Sequence, residues 1–185
     1  MPLVTTNWVE KNNKNLKIID CSWHMPNVGR NGYNEYLKTH IENSIFFDLD
    51  KNSNLNTDLP HMLVDIYEWE KIVSKMGISN KDEIVIYDNS DVLSSCRCWY
   101  NFIYFGHDSK LVHVLDGGLK KWKLEKKLTT TKILEKKSTK YIACEIKNLV
   151  KNKSQINDNI KKQEFKVIDA RSRERFEGKV KEPRK

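Results

Sequence analysis

Few side chains in this 185-residue chain offer reactive chemistry. The cysteines are Cys21, Cys96, Cys98 and Cys144, and a thiol becomes a nucleophile only where its surroundings favour the thiolate. Cys21 follows an apolar run that ends in Asp20, and no glycine-rich loop comes after it to cradle an anion. Cys96 and Cys98 flank Arg97 on a predicted helix, where neighbours at i and i+2 point to different faces and do not share one metal ion. One of the two is expected to pack in the core. No Cys-X2-Cys or histidine pair supports zinc, so no metal site is expected. Arginine is unevenly spread: of six, Arg171, Arg173, Arg175 and Arg184 fall in the last fifteen residues, and the planar guanidinium suits carboxylates and other oxyanions. Arg97 stands apart from these and is read as a structural ion-pair partner for Asp88.

These residues need elements to position them. Leu16-Lys17-Ile18-Ile19-Asp20 reads as a buried parallel strand ending in an acid, Ile45 to Asp48 as a second, Glu83 to Tyr87 as the clearest central strand and Leu111 to Leu115 as another. Helical stretches are predicted over Tyr33 to Lys38, Ile66 to Met76 with Gly77 as cap, and Leu93 to Phe105 with Gly106 ending it. The glycines of Asp116-Gly117-Gly118 suit a tight turn. Strands alternating with helices, each strand ending in a polar turn, indicate an α/β domain with a mostly parallel central sheet flanked by helices. Ligands of such sheets bind at the loops after the strands. From Leu124 to Glu164 the pattern weakens into a Lys, Thr, Asn and Ser rich connection, with a short helix near Ile146 to Val150. Phe165-Lys166-Val167-Ile168-Asp169 then repeats the pattern of Leu16 to Asp20 about 150 residues later, as an incomplete second copy would.

Composition bounds the class. Hydrophobic residues are 38%, charged residues 31% and mean hydropathy −0.68, values that exclude a wholly disordered chain. No stretch approaches the roughly 18 apolar residues of a membrane span, and no apolar leader opens the chain. The expected compartment is the cytoplasm, which suits scattered, reduced thiols. The net charge of +8 comes almost wholly from lysines interleaved with asparagine. No dense basic block with aromatic residues between them exists, which argues against a nucleic-acid partner. The tryptophans are read as core residues.

Three stretches share one order and spacing. Ile45-Phe46-Phe47-Asp48-Leu49-Asp50 precedes Leu59-Pro60-His61-Met62-Leu63; Asp116-Gly117-Gly118-Leu119 precedes Trp122; Asp169-Ala170-Arg171-Ser172 runs to Arg175-Phe176-Glu177-Gly178 and Glu182-Pro183-Arg184. Together they resemble the tandem-domain rhodanese sulfurtransferases, closest to the 3-mercaptopyruvate type. The resemblance implies a non-catalytic N-terminal rhodanese-like domain over residues 3–123, a linker over 124–164 and the start of a truncated catalytic domain over 165–185.

The resemblance also implies the chemistry. Relatives carry sulfane sulfur from 3-mercaptopyruvate or thiosulfate, as a persulfide on a loop cysteine, to a thiol or cyanide acceptor, with no cofactor. A helix N-terminus and backbone N–H groups favour that thiolate. Here the matching position in the first domain is Asp88, and no Cys-Gly-Ser-Gly or Cys-Gly-Thr-Gly segment exists in the chain. Arg175 and Arg184 fall on the positions that bind the substrate's carboxylate and keto oxygens. Asp50 and His61 match residues proposed to form a proton relay with a serine of the catalytic loop. The family's Gly-His-Ile-Pro-Gly turn stands here as Thr39-His40-Ile41-Glu42-Asn43. The chain alone is therefore expected to transfer no sulfur, and the alternative is a non-catalytic rhodanese-like binding module.

Overall fold

The computed structural model describes residues 2–181. In chain order the elements are β1 (Leu3–Val4), α1 (Thr6–Asn12), β2 (Leu16–Asp20), α2 (Gly32–Lys38), β3 (His40–Ile41), β4 (Ser44–Phe46), α3 (Ile66–Lys75), β5 (Glu83–Tyr87), α4 (Ser94–Tyr104), β6 (Val112–Leu115), α5 (Gly118–Leu124), β7 (Thr129–Thr130), α6 (Lys153–Lys162) and α7 (Arg173–Phe176). The chain divides into two compact units between Lys147 and Asn148.

The first unit is built on a parallel sheet in the order β1-β6-β5-β2-β4. β5 lies at its centre and β2 between β5 and β4, with Ile18 opposite both Val85 and Ser44. Burial on both faces explains why β2 and β5 read as nearly continuous apolar runs. Alternate side chains feed separate cores. Ile84 and Ile86 join Trp69, Val73 and Phe102 of α3 and α4 on one face. Val85 and Tyr87 join Val9, Leu119 and Trp122 of α1 and α5 on the other. The sequence pattern showed four of the five strands; α1 and α5, each seven residues long with two buried side chains, were not read from it.

Side-chain oxygens start the helices where the spacing allows. Thr5, Asn31 and Asp65 accept from the N–H groups of Trp8, Asn34 and Glu68, closing the first turns of α1, α2 and α3. Each such cap contributes about 1 kcal/mol. In the turn where the family carries glycine, Asn43 takes φ 66°. Asparagine tolerates this left-handed backbone better than most residues, and its side-chain amide bonds Asn13 Oδ1 at 2.5 Å.

The connection after α5 is less free than its composition indicates. Thr129–Thr130 pairs antiparallel with β3, and residues 139–146 run as an extended strap over the first unit. Backbone N–H groups of Thr139, Cys144 and Ile146 donate to the carbonyls of Ser74, Phe105 and Tyr104, and Tyr141 and Ala143 are buried.

The second unit holds α6, whose Asn152 and Gln155 form a reciprocal capping box, and the single turn of α7. Phe165 to Asp169, which the sequence pattern reads as a strand, adopts none, and Val167 and Ile168 are exposed. A strand is stabilised by its neighbours, as β2 is by β4 and β5. No strand pairs with this segment among the described residues.

Candidate functional site

Three loops leave the C-terminal ends of β2, β4 and β5 and meet at one edge of the sheet. The loop after β4 carries Asp50 and, eleven residues on, His61. Its base is closed by the Asn54 N–H on the Met62 carbonyl at 2.8 Å and by the Ser53 hydroxyl on the Leu49 carbonyl at 2.7 Å. This closure brings together the residues that the sequence motif singled out: His61 Nε2 lies 2.8 Å from Asp50 Oδ1. The imidazole is 20% exposed and the carboxylate 65%, so the pair is open to a partner or substrate. A histidine oriented by a carboxylate can accept and return a proton near neutral pH.

Two further residues complete this cluster, and the sequence reading missed both. Trp23, just past β2, donates its indole N–H to the Asp50 carboxylate, 3.0 Å from each oxygen, and its ring meets the His61 ring edge-on at 4.8 Å. The Trp23 backbone is held in turn by Ser90, whose hydroxyl is 2.9 Å from its N–H and 2.6 Å from its carbonyl. Trp23 is thus half-buried against the core, as expected of the tryptophans, and also holds Asp50. Arg97, on α4, donates from Nη2 to the His61 carbonyl at 2.5 Å. A signal for the latter existed: on α4 the positions three and four residues from Arg97 are Ser94, Leu93, Tyr100 and Asn101, with no acid among them for a local pair.

The expected Arg97–Asp88 ion pair is corrected by these contacts. Asp88 is buried, and its carboxylate accepts the N–H groups of Ser95 at 2.7 Å and Ser90 at 3.1 Å. Backbone donors at the start of α4 satisfy it, and a helix N-terminus favours an anion there. The carboxylate therefore fills from within the cradle that a thiolate or persulfide would need. A cavity of about 660 Å³ opens over this loop, lined in part by Arg30, Asp88, Cys96, Asp116 and Lys120. Its size does not make it an anion site, because Asp88 already takes the donors on its floor. Asp50 and Trp23 border a separate, smaller cleft of about 100 Å³.

Two of the four thiols are shut away from solvent, Cys21 and Cys98. Cys21 is fully buried, and burial followed by its thiol neighbour Cys98 pushes its thiol well above the usual range. As expected for the Cys96–Cys98 pair, one thiol packs in the core, Cys98, and the other is exposed. Among the described residues no cluster of three or more metal-binding side chains exists, and no helix is long and apolar enough to cross a membrane.

A charged clasp joins the loops around the cleft. Arg30 makes a two-pronged bond to Glu35, 2.7 Å at each prong, and a third bond to the Asn89 carbonyl at 3.1 Å. Asn89 Nδ2 returns to Glu35 at 2.8 Å. The guanidinium holds the Glu35 carboxyl down at about 2. Of the two arginines expected to bind substrate, Arg175 is half-buried on α7 of the second unit, and Arg184 lies outside the described residues.

This fold and motif set match a known domain: the rhodanese-like domain family covers residues 5–125. The chain belongs to the rhodanese family. Among rhodanese relatives, thiosulfate/3-mercaptopyruvate sulfurtransferase 1, mitochondrial, of Arabidopsis thaliana is 37% identical over all of this chain and 54% of its own length. The 3-mercaptopyruvate sulfurtransferase of Mus musculus is 32% identical over 98% of this chain and 63% of its own. The crystal structure of SseA from Escherichia coli, described as having the rhodanese fold of 3-mercaptopyruvate sulfotransferases, superposes with a TM-score of 0.89 at 26% identity, covering 97% of this chain and 69% of that one. The chain thus spans 54% to 63% of the length of these two curated rhodanese relatives.

Proposed function

We propose that this chain is the non-catalytic N-terminal half, followed by the opening of the catalytic half, of a sulfurtransferase of the 3-mercaptopyruvate type. In this reading residues 3–123 are the first domain, 124–164 a linker tethered in part to it, and 165–185 the start of the second. The complete reaction takes sulfane sulfur from 3-mercaptopyruvate, or thiosulfate, onto a cysteine as a persulfide and passes it to a thiol or cyanide. The chemistry needs no cofactor, and we place it in the cytoplasm. The observation that carries the reading is the Asp50–His61 pair at an open loop edge, beside a cradle that Asp88 has closed. A unit with a proton relay and no nucleophile suits a domain that assists a cysteine held elsewhere. Arg175 and Arg184 would grip the substrate's carboxylate and keto oxygens, since two guanidinium groups fix both orientation and charge of a small keto acid.

The test has two arms. The purified chain, given 3-mercaptopyruvate with a thiol acceptor or thiosulfate with cyanide, is expected to show no turnover above background. Fused ahead of a catalytic rhodanese-like domain bearing the nucleophilic cysteine, it is expected to support turnover, and His61→Ala to lower kcat by about a hundredfold, the low end for a lost general acid or base. Turnover by the chain alone would overturn the assignment of a non-catalytic half. A fusion indifferent to His61 would remove the relay and favour a binding module.

A further inference from the structure

His61 sits in a backbone conformation that needs support. Its φ is 55°, and the left-handed region costs a residue with a Cβ about 1–2 kcal/mol. Its loop is closed at Asn54 and Met62, which leaves the direction of the His61 peptide to its own partners. The His61 carbonyl has one in Arg97 Nη2. Arg97 projects from a buried helix face, its Nε is buried without a hydrogen-bond partner, and among the described residues no carboxylate pairs with it. A guanidinium left this way costs free energy. Fixing the carbonyl of a strained residue is what the placement achieves.

On the other side of the ring, Asp50 is held as firmly. Its two oxygens straddle the Trp23 indole N–H, and the Trp23 backbone is tied to Ser94 at the head of α4 and to Ser90 in the loop before it. Both arms therefore return to α4, the helix that also carries Arg97. An ionised carboxylate only accepts hydrogen bonds, so the 2.8 Å contact to His61 Nε2 requires the proton on Nε2. In the neutral ring that leaves the lone pair on Nδ1.

We propose that Arg97 and Trp23 are positioning residues of the Asp50–His61 pair, locking the imidazole as the Nε2–H tautomer with Nδ1 as the nitrogen that exchanges a proton with the reaction. The proposal rests on the relay reading above and goes beyond it by naming the exchanging atom and the residues that select it. Arg97 acts through the backbone of His61 and Trp23 through the carboxylate of Asp50. Neither touches the reacting atoms.

The experiment uses the 185-residue chain labelled with ¹⁵N and ¹³C. At a pH where His61 is neutral, long-range ¹H–¹⁵N spectra are expected to show Nε2 as the protonated and Nδ1 as the unprotonated nitrogen, with cross-relaxation between the His61 and Trp23 rings. Arg97→Met is expected to abolish those ring contacts and shift both ring nitrogens toward the averaged values of a free histidine, while amide resonances of β2, β5 and α3 stay in place. Trp23→Phe keeps a ring but removes the donor, and is expected to move the ring nitrogens the same way. It serves as the decisive variant if Arg97→Met does not fold. A protonated Nδ1 in the wild type, or ring nitrogens that do not move in a folded variant, would overturn the proposal. Because these readouts need no catalysis, their failure is separate from failure of the fusion assay, which tests the relay itself.

Discussion

Asp20 shows how one residue couples this fold to pH. It ends β2, an inner strand of the sheet, is 1% exposed, and takes the N–H and hydroxyl of Ser22 at 2.9 and 2.5 Å. The Ser22 hydroxyl then accepts the Asn89 N–H at 2.8 Å, so the carboxyl orients the loop after β5 through one intermediary. Burial outweighs these bonds and raises the Asp20 carboxyl from 3.8 to about 6. The folded chain therefore holds the proton more tightly than the unfolded one. The favourable contribution is complete below the unfolded value of 3.8 and is lost as pH rises through about 6. The shift corresponds to about 3 kcal/mol at neutral pH. Glu35, held low by Arg30, works in the opposite sense: its contribution is present above 4.5 and is lost as pH falls toward about 2. Asp20→Asn keeps an acceptor for Ser22 and removes the titration. Urea midpoints from pH 4 to 7 are expected to show the variant gaining on the wild type as pH rises, by up to about 3 kcal/mol. A difference that stays flat over this range would mean that Asp20 is ionised throughout.

Among the elements, the turn from β6 into α5 leaves no room for a side chain at Gly118. Gly118 has φ 53°, and a Cβ there would stand 2.4 Å from the Asp88 carbonyl oxygen. That carbonyl also accepts the Leu119 N–H at 2.9 Å, so α5 is pinned to the loop that carries the filled cradle. Gly29 is the matched control, with φ 65° and nothing within 4 Å of its added Cβ. Gly29→Ala is expected to cost about 1–2 kcal/mol from backbone strain alone. Gly118→Ala is expected to exceed it by at least about 1 kcal/mol, because backbone atoms must move. Equal unfolding midpoints for the two variants would show that the turn can open. This turn was legible in Asp116-Gly117-Gly118, as were four of the five strands of the sheet, because each signal is local. The Arg97 partner was not. Its contact runs to a carbonyl 36 residues away, and no side-chain pattern encodes a backbone acceptor. Asp88 was legible as the residue at the position where the resemblance would place a nucleophile, but only the geometry shows its carboxylate occupying the donors.

For the whole molecule, the strap decides where the folded unit ends. Residues 139–146 have no periodicity to read, since their polar backbone groups are satisfied by partners 39 to 73 residues earlier, not by a repeating element of their own. Asn80 takes both sides of the Ile142 peptide, at 2.9 and 2.7 Å, Glu70 accepts the Ala143 N–H at 2.8 Å, and the Thr139 hydroxyl donates to the Ile78 carbonyl at 2.6 Å. Tyr141 is 2% exposed among the residues packed against α3 and α4. The Cys144 carbonyl lies 2.6 Å from where a Gly106 Cβ would stand, so the strap also uses a glycine that reads from sequence only as a helix stop. A chain ending at Lys147 is expected to unfold at the same urea midpoint as the full chain's first unit. One ending at Lys137 loses the buried tyrosine and these hydrogen bonds, and is expected to be less stable by at least about 3 kcal/mol, the scale of a large core truncation. Limited proteolysis provides the same test in the full chain: cleavage is expected beyond Lys147, leaving a fragment that retains residues 139–146. A stable fragment ending before Lys137 would mean that the strap rides on the first unit without supporting it, and that the loop carrying Asp50 and His61 owes its geometry to β2, β4, β5 and α4 alone.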